Sequence, residues 1–337
     1  MDLHLYDEDE APEVTQGPSI VEAAASTVVT EERGKETPVD DRRGYLGGSD
    51  AAVIAGLSPW KTAYQLWLEK TGREQAPDLS GNERVYWGQI LEEIVAREYQ
   101  QRTGNRVRKV NRLMKHPEFP YVGAHIDRDI VKSNGILEVK TTGRRDNWGE
   151  PGTAEIPDYY LAQVQHYMAV TGAQWADVAV LFSGQEMQIY RVPRDDEFVE
   201  GLITVEQRFW EGHVLADAPP TPETSEEASA MWPRAGAGVV RGNRIALDVA
   251  GRLYEVKEQI KEHKAEQDRL ELELKKQMED IGDTLMVDGQ KIATWKTQTS
   301  RRFDGKAFGA DHPELYDEYK RESESRVFRL SYKPGKE

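Results

Sequence analysis

The sequence of 337 residues contains no cysteine. This absence excludes a disulfide framework, a thiolate zinc site and an iron–sulfur cluster, and it is typical of proteins in a reducing cytoplasm. The sequence also has no apolar run of the roughly eighteen residues that a membrane-spanning helix requires. A basic stretch followed by an apolar one is absent near the first residue, so we expect no secretory signal. Together these absences predict a cytoplasmic protein without a membrane partner.

The net charge of −16 is at first unfavourable for a nucleic-acid partner, because phosphate binding requires Lys and Arg. The charge is uneven, however. Residues 1–40 contain eleven acidic and two basic side chains, which accounts for −9 of the total. This segment is poor in aromatic residues and broken by Pro and Gly, so we predict a disordered acidic tail. Acidity therefore weakens a nucleic-acid interpretation without excluding it.

The rest of the chain divides by composition into three parts. The composition of residues 41–218 is typical of a compact α/β domain. Residues 219–244 are rich in Pro, Ser, Glu and Gly, so we predict a linker there. For residues 245–337 we predict a long C-terminal helix followed by a small α/β region. The helix has only a partial heptad pattern, so a coiled-coil partner and packing within the chain both stay open.

The C-terminal part also predicts three smaller elements. The sequence TLMVDGQKIATWKT indicates a hairpin with Asp288-Gly289 at its turn. A helix is expected near HPELYDEYKR and a final strand at SRVFRLSY.

Within 41–218 the hydrophobic periods predict a mixed sheet flanked by helices. Ser49-Asp50 is expected to cap a short helix, AAVIAG. Further helices are expected at 63–70, 83–103 and 158–171. Strands are expected at 105–110, around 121–131, and at 135–141, 175–182 and 186–192.

The segment GAHIDRDIVKSNGILEVKTT carries the pattern most informative about chemistry. We expect Asp127 on one strand, a turn at Ser133-Asn134-Gly135, and Glu138 and Lys140 on the next strand. Since side chains alternate along a strand, Glu138 and Lys140 point to the same side. The hairpin can bring Asp127 opposite Glu138.

Two carboxylates a few ångströms apart repel each other, and a hard divalent cation relieves that repulsion. A lysine two residues beyond the second carboxylate can orient a water for attack on phosphorus, or stabilise the charge that develops. Taken alone, the pattern also fits an ordinary hairpin whose polar side chains face water.

Four blocks of sequence together resemble the YqaJ and lambda-exonuclease branch of the PD-(D/E)xK nuclease superfamily. They cover roughly residues 42–172 and read RRGYLGGSDAAVIAGLSPWKTAYQLWLEKTG, WGQILEEIVAREYQQRTG, VGAHIDRDI…GILEVKTT and PDYYLAQVQHYMAVTG. The C-terminal HPELYDEYKRESESRVFRL is similar to YqaJ-type phage proteins. Ile126 stands where the family commonly has Pro, which should matter little because Asp127 supplies the carboxylate. The resemblance implies a restriction-endonuclease-like core.

The resemblance also implies a role for each site residue. Asp127, Glu138 and the Val139 carbonyl would ligate Mg²⁺, for which Mn²⁺ can substitute. Glu92 would ligate directly or through water, and is favoured over the adjacent Glu93. Lys140 would position the attacking water, and Gln163 would orient Lys140 or that water. Without the resemblance, Glu92 and Gln163 also fit ordinary polar positions on solvated helix faces.

The Gly47-Gly48-Ser49 block suggests an anion site, because Gly lets the backbone approach closely and a helix start offers free amides. In lambda-type enzymes a comparable serine and an upstream arginine hold the terminal 5′-phosphate. By resemblance these would be Ser49 with Arg42 or Arg43. A simple N-cap serine is the alternative.

The expected function is metal-dependent exonuclease action on double-stranded DNA ends, with 5′→3′ resection of one strand for phage-type single-strand-annealing recombination. A RecT-type annealing protein and a ring-shaped homo-oligomer are implied as partners, in a bacterial cytoplasm. Two alternatives stay open: another nuclease of the superfamily, such as a resolvase or restriction-type endonuclease, and a non-catalytic recombination protein.

Overall fold

The computed structural model describes residues 42–335, and the predicted acidic tail at 1–40 lies outside them. The described chain falls into two compact units that divide between Thr221 and Pro222. Across residues 42–335, no helix is both long enough and apolar enough to cross a membrane.

The first unit contains five α-helices among its described residues. They are α1 (Gly48–Ile54), α2 (Ala63–Lys70), α3 (Glu83–Thr103), α4 (Asp158–Thr171) and α5 (Asp196–Phe209). Local signals set several boundaries. The Asn82 side chain accepts a hydrogen bond from the Arg84 N–H at the start of α3. Gly104 and Gly172 end α3 and α4 in the left-handed conformation that glycine adopts without strain.

The strands of this unit form one five-stranded sheet and one two-stranded sheet. They are β1 (Val107–Lys109), β2 (Met114–Lys115), β3 (Gly123–Ala124), β4 (Arg128–Ile130), β5 (Gly135–Thr142), β6 (Trp175–Phe182) and β7 (Glu186–Pro193). The larger sheet has the order β1-β4-β5-β6-β7, and β2 pairs with β3. Only the β5–β6 pair is parallel in the larger sheet. The predicted mixed sheet flanked by helices is therefore confirmed.

Alternation along β5 directs its side chains into two different environments. Ile136 packs into a core cluster that includes Val164 and Met168 of α4. Leu137 and Val139 pack into a second cluster with Val95, Ala96 and Tyr99 of α3. Glu138 and Lys140 lie two and four residues after Ile136, so their side chains point to the same side of the strand and face α4. The sheet thus places two polar side chains of its central strand against one helix.

Three sequence expectations for this unit are wrong in detail. Helix α1 begins at Gly48 with Gly47 as its N-cap, so Ser49 does not cap it. The Asp50 carboxylate, in the first turn, accepts a hydrogen bond from the N–H of the N-cap residue Gly47 at 3.0 Å. The strand expected around 121–131 is interrupted between β3 and β4, and Asp127 lies in the interruption. The first strand is also shorter than expected.

The second unit matches most of its predicted elements. It contains α6 (Ser225–Met231), α7 (Arg244–Met278), β8 (Thr284–Val287), β9 (Gln290–Thr294), α8 (Gly305–Asp311) and α9 (Pro313–Tyr319). The hairpin turn is confirmed, since Asp288 and Gly289 both have positive φ, at 48° and 80°. Helix α6 lies inside the segment predicted as a linker. The final strand at 325–332 is wrong, because no described residue pairs with that segment to form a ladder.

Candidate active site

Asp127 is held against β5 although it lies just before β4. In the β4–β5 pair, Arg128 is opposite Leu137, so the preceding residue, Asp127, comes level with Glu138. Asp127 Oδ2 accepts a hydrogen bond of 2.8 Å from the Val139 N–H. The expected approach of Asp127 to Glu138 is therefore observed, and a backbone contact fixes it.

Glu138 and Lys140 form a close ion pair below the surface. Lys140 Nζ lies 2.6 Å from Glu138 Oε1, and the two side chains are only 17% and 4% exposed. Lys140 Nζ also lies 4.7 Å from the ring centroid of Tyr160, a cation–π distance. These burial values exclude the alternative in which the hairpin simply presents polar side chains to water.

Gln163 of α4 connects the two members of this pair. Its Oε1 accepts a hydrogen bond from Lys140 Nζ at 3.1 Å, and its Nε2 donates to Glu138 Oε1 at 3.1 Å. Nε2 also lies 2.8 Å from the Tyr167 hydroxyl oxygen. The side-chain amide is thus fixed on both sides, and it determines where the lysine ammonium lies.

The buried charges shift one another's ionisation. Burial, with the nearby Asp127 carboxylate, raises the pKa of Glu138 to about 8. Burial also raises the pKa of Asp127, although Lys140 and the Val139 N–H oppose that effect. Burial alone would lower the pKa of Lys140, but Glu138 and Asp127 outweigh it and raise that pKa. The site therefore holds an ammonium beside two carboxylates that resist ionisation.

This donor set fits a hard divalent cation. Glu138 Oε2 is buried and has no hydrogen-bond partner in the described chain, and a buried carboxylate oxygen without a partner is costly. Carboxylate and carbonyl oxygens are the ligands that Mg²⁺ and Mn²⁺ prefer. Within residues 42–335, no three acidic or histidine side chains already converge as a metal-binding cluster. Asp127 and Glu138 thus form a carboxylate pair that a third ligand would have to join.

Glu92 is a further carboxylate on α3, and Arg128 holds it. Arg128 Nη1 lies 2.5 Å from Glu92 Oε1, and Nη2 lies 2.9 Å from Glu93 Oε2. Glu92 contributes to the raised pKa of both Asp127 and Glu138, whereas Glu93 is not among the causes of either shift. This difference favours Glu92 over Glu93 as the group that faces the carboxylate pair.

The residues expected to hold a terminal phosphate lie around a second cavity. Arg42, Arg43, Ser49 and Lys61 line it, and its volume is about 580 Å³. Arg42 makes no ion pair with any other described residue, while Lys61 Nζ pairs with Glu69 at 2.7 Å. The structure therefore brings the three predicted residues to one cavity, although Ser49 is not the N-cap of the adjacent helix.

Comparison with known proteins identifies the family. The pattern of the YqaJ-like viral recombinase domain matches residues 39–174. The chain is also 36% identical over 295 residues to the protein named uncharacterized protein YqaJ of Bacillus subtilis (strain 168), which covers 86% of this chain and 91% of that protein. The chain belongs to the YqaJ-like viral recombinase family. Every candidate site residue lies inside the matched segment.

Two solved structures are similar to part of this family member. An alkaline exonuclease (LHK-Exo) from Laribacter hongkongensis has a TM-score of 0.42 and 22% identity, covering 56% of this chain and 95% of its own. A phage related exonuclease from Haemophilus somnus 129PT has a TM-score of 0.39 and 13% identity, covering 51% of this chain and 96% of its own. Similarity at this level bears on neither substrate nor mechanism.

Two residues that support the site were not predicted from the sequence. Arg128 is one, and strand alternation could have placed it on the α3 side, opposite to Glu138. His166 of α4 is the other: its Nδ1 lies 2.7 Å from Glu206 Oε1, and its Nε2 lies 2.8 Å from the Gly123 carbonyl oxygen. Burial disfavours the charged ring, but Glu206 outweighs it and raises the pKa of His166. This contact ties the segment before Asp127 to the helix that carries Gln163.

Proposed function

We propose that this chain is a metal-dependent deoxyribonuclease that degrades linear duplex DNA from its ends. One observation carries the proposal: the half-buried Asp127 carboxylate lies beside the buried Glu138 carboxylate, and Gln163 holds Lys140 beside Glu138. Membership of the YqaJ-like viral recombinase family agrees with an enzyme of DNA recombination. A binding module would gain nothing from a largely buried lysine beside two carboxylates that resist ionisation.

Mg²⁺, or Mn²⁺ in its place, would be held by Asp127, Glu138 and the Val139 carbonyl, with Glu92 as a direct or water-mediated ligand. A bound divalent cation lowers the pKa of a coordinated water and polarises a phosphoryl oxygen. Glu138 Oε2 is one of two buried carboxylate oxygens without a hydrogen-bond partner among the described residues, and it is the one that lies beside Asp127 and Lys140.

Lys140 would act on the water and on the phosphate. Its ammonium is a strong hydrogen-bond donor that Glu138 and Gln163 hold in place before the substrate arrives. A donor fixed in advance stabilises developing negative charge without a further cost of reorganisation. Gln163 touches Lys140 rather than the scissile bond, so we assign it as a positioning residue.

Arg42, Arg43 and Ser49 would bind the terminal 5′-phosphate in their shared cavity. Guanidinium groups make charge-assisted hydrogen bonds to phosphate, and a terminal phosphate offers more oxygens and more charge than an internal one. Selection of a 5′ end would then direct degradation 5′→3′ along one strand.

We further propose a ring-shaped homo-oligomer and a RecT-type single-strand annealing protein as partner, both by family resemblance. Helix α3 offers one relevant surface, since Ile90 and Ile94 are 41% and 55% exposed, and adjacent apolar side chains on a surface favour association. Analytical ultracentrifugation and a pull-down with the annealing protein test these two assignments.

The deciding experiment follows linear duplex DNA with 5′-phosphate or 5′-hydroxyl ends, alongside closed circular duplex, in Mg²⁺ and in EDTA. We expect degradation of linear DNA in Mg²⁺, faster from phosphate ends, and none in EDTA. Efficient cutting of closed circles would instead assign a resolvase or restriction-type endonuclease. No hydrolysis of any substrate would favour the non-catalytic alternative.

A further inference from the structure

A short part of this acidic protein is strongly basic. Residues 99–117 contain no Asp or Glu, in a chain whose net charge is −16. The same stretch contains six basic residues, namely Arg102, Arg106, Arg108, Lys109, Arg112 and Lys115. None of them belongs to the catalytic site or to the terminal-phosphate cavity described above. The local excess of positive charge therefore has no role in the proposed chemistry as stated so far.

The fold displays this segment on an outer strand. β1 is the edge strand of the five-stranded sheet, with β4 as its neighbour. Arg108 pairs with Asp129 at 2.7 Å, whereas Arg106, Lys109 and Arg112 are exposed and make no ion pair with any residue of 42–335. We call Arg106, Lys109 and Arg112 the basic edge. As far as the described residues show, these three positive charges are therefore available to bind an anionic ligand.

The basic edge borders a cavity of about 540 Å³ at the end of the sheet where β5 begins. Lys109 and Arg112 line this cavity, and so do Ile126 and Ile136. Ile126 immediately precedes Asp127. Ile136 lies two residues before Glu138 on the same face of β5, a separation of about 7 Å along a strand. The cavity therefore lies beyond the core residues Ile126 and Ile136, within a few nucleotide repeats of the catalytic pair.

Ser133 and Asn134 add neutral polar side chains to the same cavity, and Asp129 is its one acidic residue. Because Arg108 neutralises Asp129, the charge presented to a ligand is positive. Phosphates along one DNA strand recur about every 3.4 Å of helix axis, so neighbouring phosphates accompany the scissile one. Cations spread from residue 106 to residue 112 match a repeated anion better than a single one.

We propose that the basic edge binds the phosphodiester backbone of the DNA substrate a few nucleotides from the scissile bond. This inference rests on the proposed nuclease function and assigns to it a second contact with the DNA. Sequence-independent phosphate contacts of this kind raise affinity and position the duplex, and they make binding depend on salt.

The test compares the intact protein with the triple variant Arg106→Gln, Lys109→Gln, Arg112→Gln. Binding to a labelled linear duplex is measured by fluorescence anisotropy in EDTA, over a series of salt concentrations. Each lost phosphate contact lowers the slope of log Kd against log salt by roughly 0.9, so we expect a decrease of about 2 to 3. We expect Kd to rise at least about tenfold near 0.1 M salt, and KM for DNA to rise while kcat stays constant.

A matched control removes the same charge elsewhere, with Arg208→Gln, Lys257→Gln and Lys291→Gln, three exposed residues without an ion pair in the described chain. A second variant, Arg106→Lys, Arg112→Lys, should retain the full salt slope. Equal slopes for the intact protein and the basic-edge variant would overturn the proposal, as would an equal loss in the control. Hydrolysis by the intact protein in Mg²⁺ is scored separately, so the nuclease function can stand while this inference fails.

Discussion

Arg128, the residue that follows Asp127, contacts two carboxylates of helix α3 through its guanidinium: Glu92 at 2.5 Å and Glu93 at 2.9 Å. The Arg128 side chain is 3% exposed, while the two carboxylates are 25% and 53% exposed. One buried cation therefore holds two partly solvated acids at the margin of the catalytic pair. Because a planar guanidinium donates in two directions at once, the contact fixes orientation as well as distance.

The first prediction concerns this contact. Arg128→Met should raise the Mg²⁺ concentration required for half-maximal activity, because Glu92 would no longer be held towards Asp127. The cost in unfolding free energy should be about 1–3 kcal/mol, below that of a fully buried pair, since both carboxylates can reach water. Mg²⁺ titrations of activity and urea unfolding measure these effects. Arg97→Met is the control, because Arg97 pairs with Glu93 at 3.1 Å on the exposed side of α3. An unchanged Mg²⁺ requirement in Arg128→Met would remove Glu92 from the metal site.

The second prediction concerns pH and metal together. The pKa of Glu138 is about 8 in the folded chain and 4.5 for an ordinary Glu, so the folded state binds the proton more tightly. Stability contributed by this group is therefore lost as pH rises from about 4.5 through 8. In metal-free buffer, Glu138→Gln should raise Tm relative to the native protein, and by more at pH 9 than at pH 5.

Mg²⁺ should reduce the Tm gain of Glu138→Gln, because a bound cation stabilises the ionised carboxylate of the native protein. Differential scanning calorimetry at pH 5, 7 and 9, with and without Mg²⁺, measures both effects. Glu118→Gln, on the exposed surface, should show neither. A Tm difference that stays constant across pH would mean that Glu138 is not the group that resists ionisation.

The sequence alone was sufficient to predict those helices and strands that are determined by nearby residues. Helices α2, α3 and α4 were predicted with their observed boundaries, because a capping side chain precedes α2 and α3 and a glycine follows each of the three helices. Alternation along β5 predicted that Glu138 and Lys140 share a face, and the distance of 2.6 Å between them agrees. Where periodicity and end signals coincide, no tertiary information is needed.

Contacts between distant parts of the chain were not predictable in the same way. Strand alternation assigns Arg128 to the face opposite Glu138, but it does not say which helix covers that face. His166 and Glu206 are separated by forty residues, and nothing in either local sequence indicates that they meet. Asp127 was expected inside a strand, whereas its side chain satisfies the Val139 N–H from a break between strands. The final strand failed for a related reason, since a strand exists only if a partner strand is present.

The third prediction separates Lys140 from Gln163. Lys140→Ala should reduce kcat by about a hundredfold or more, the scale observed for loss of one donor to developing charge. DNA affinity should change little, because one phosphate contact among several is lost. Gln163→Ala should reduce kcat less and leave Kd for DNA unchanged, since the amide acts through the position of Lys140. Single-turnover kinetics and anisotropy separate the two measurements, and Lys257→Ala is the control. Equal losses in binding and in rate would make Lys140 a docking lysine instead.

The last prediction concerns Ser49 and the DNA end. Ser49 is the second residue of α1, and the Asp50 carboxylate, not the Ser49 hydroxyl, satisfies the Gly47 N–H. Ser49→Ala should therefore cost less than the roughly 1 kcal/mol typical of a lost N-cap. Its hydroxyl is exposed in the cavity that Arg42 and Arg43 also line.

If that cavity binds a terminal phosphate, Ser49→Ala should slow degradation from 5′-phosphate ends while leaving 5′-hydroxyl ends almost unchanged. The ratio of the two rates should thus fall, because the lost hydrogen bond exists only when the terminal phosphate is present. Initial rates on the two substrates at equal Mg²⁺ measure the ratio, and Ser80→Ala, on an exposed loop, should leave it constant. A parallel slowing of both substrates would show that Ser49 supports the fold of α1 and not the recognition of the DNA end.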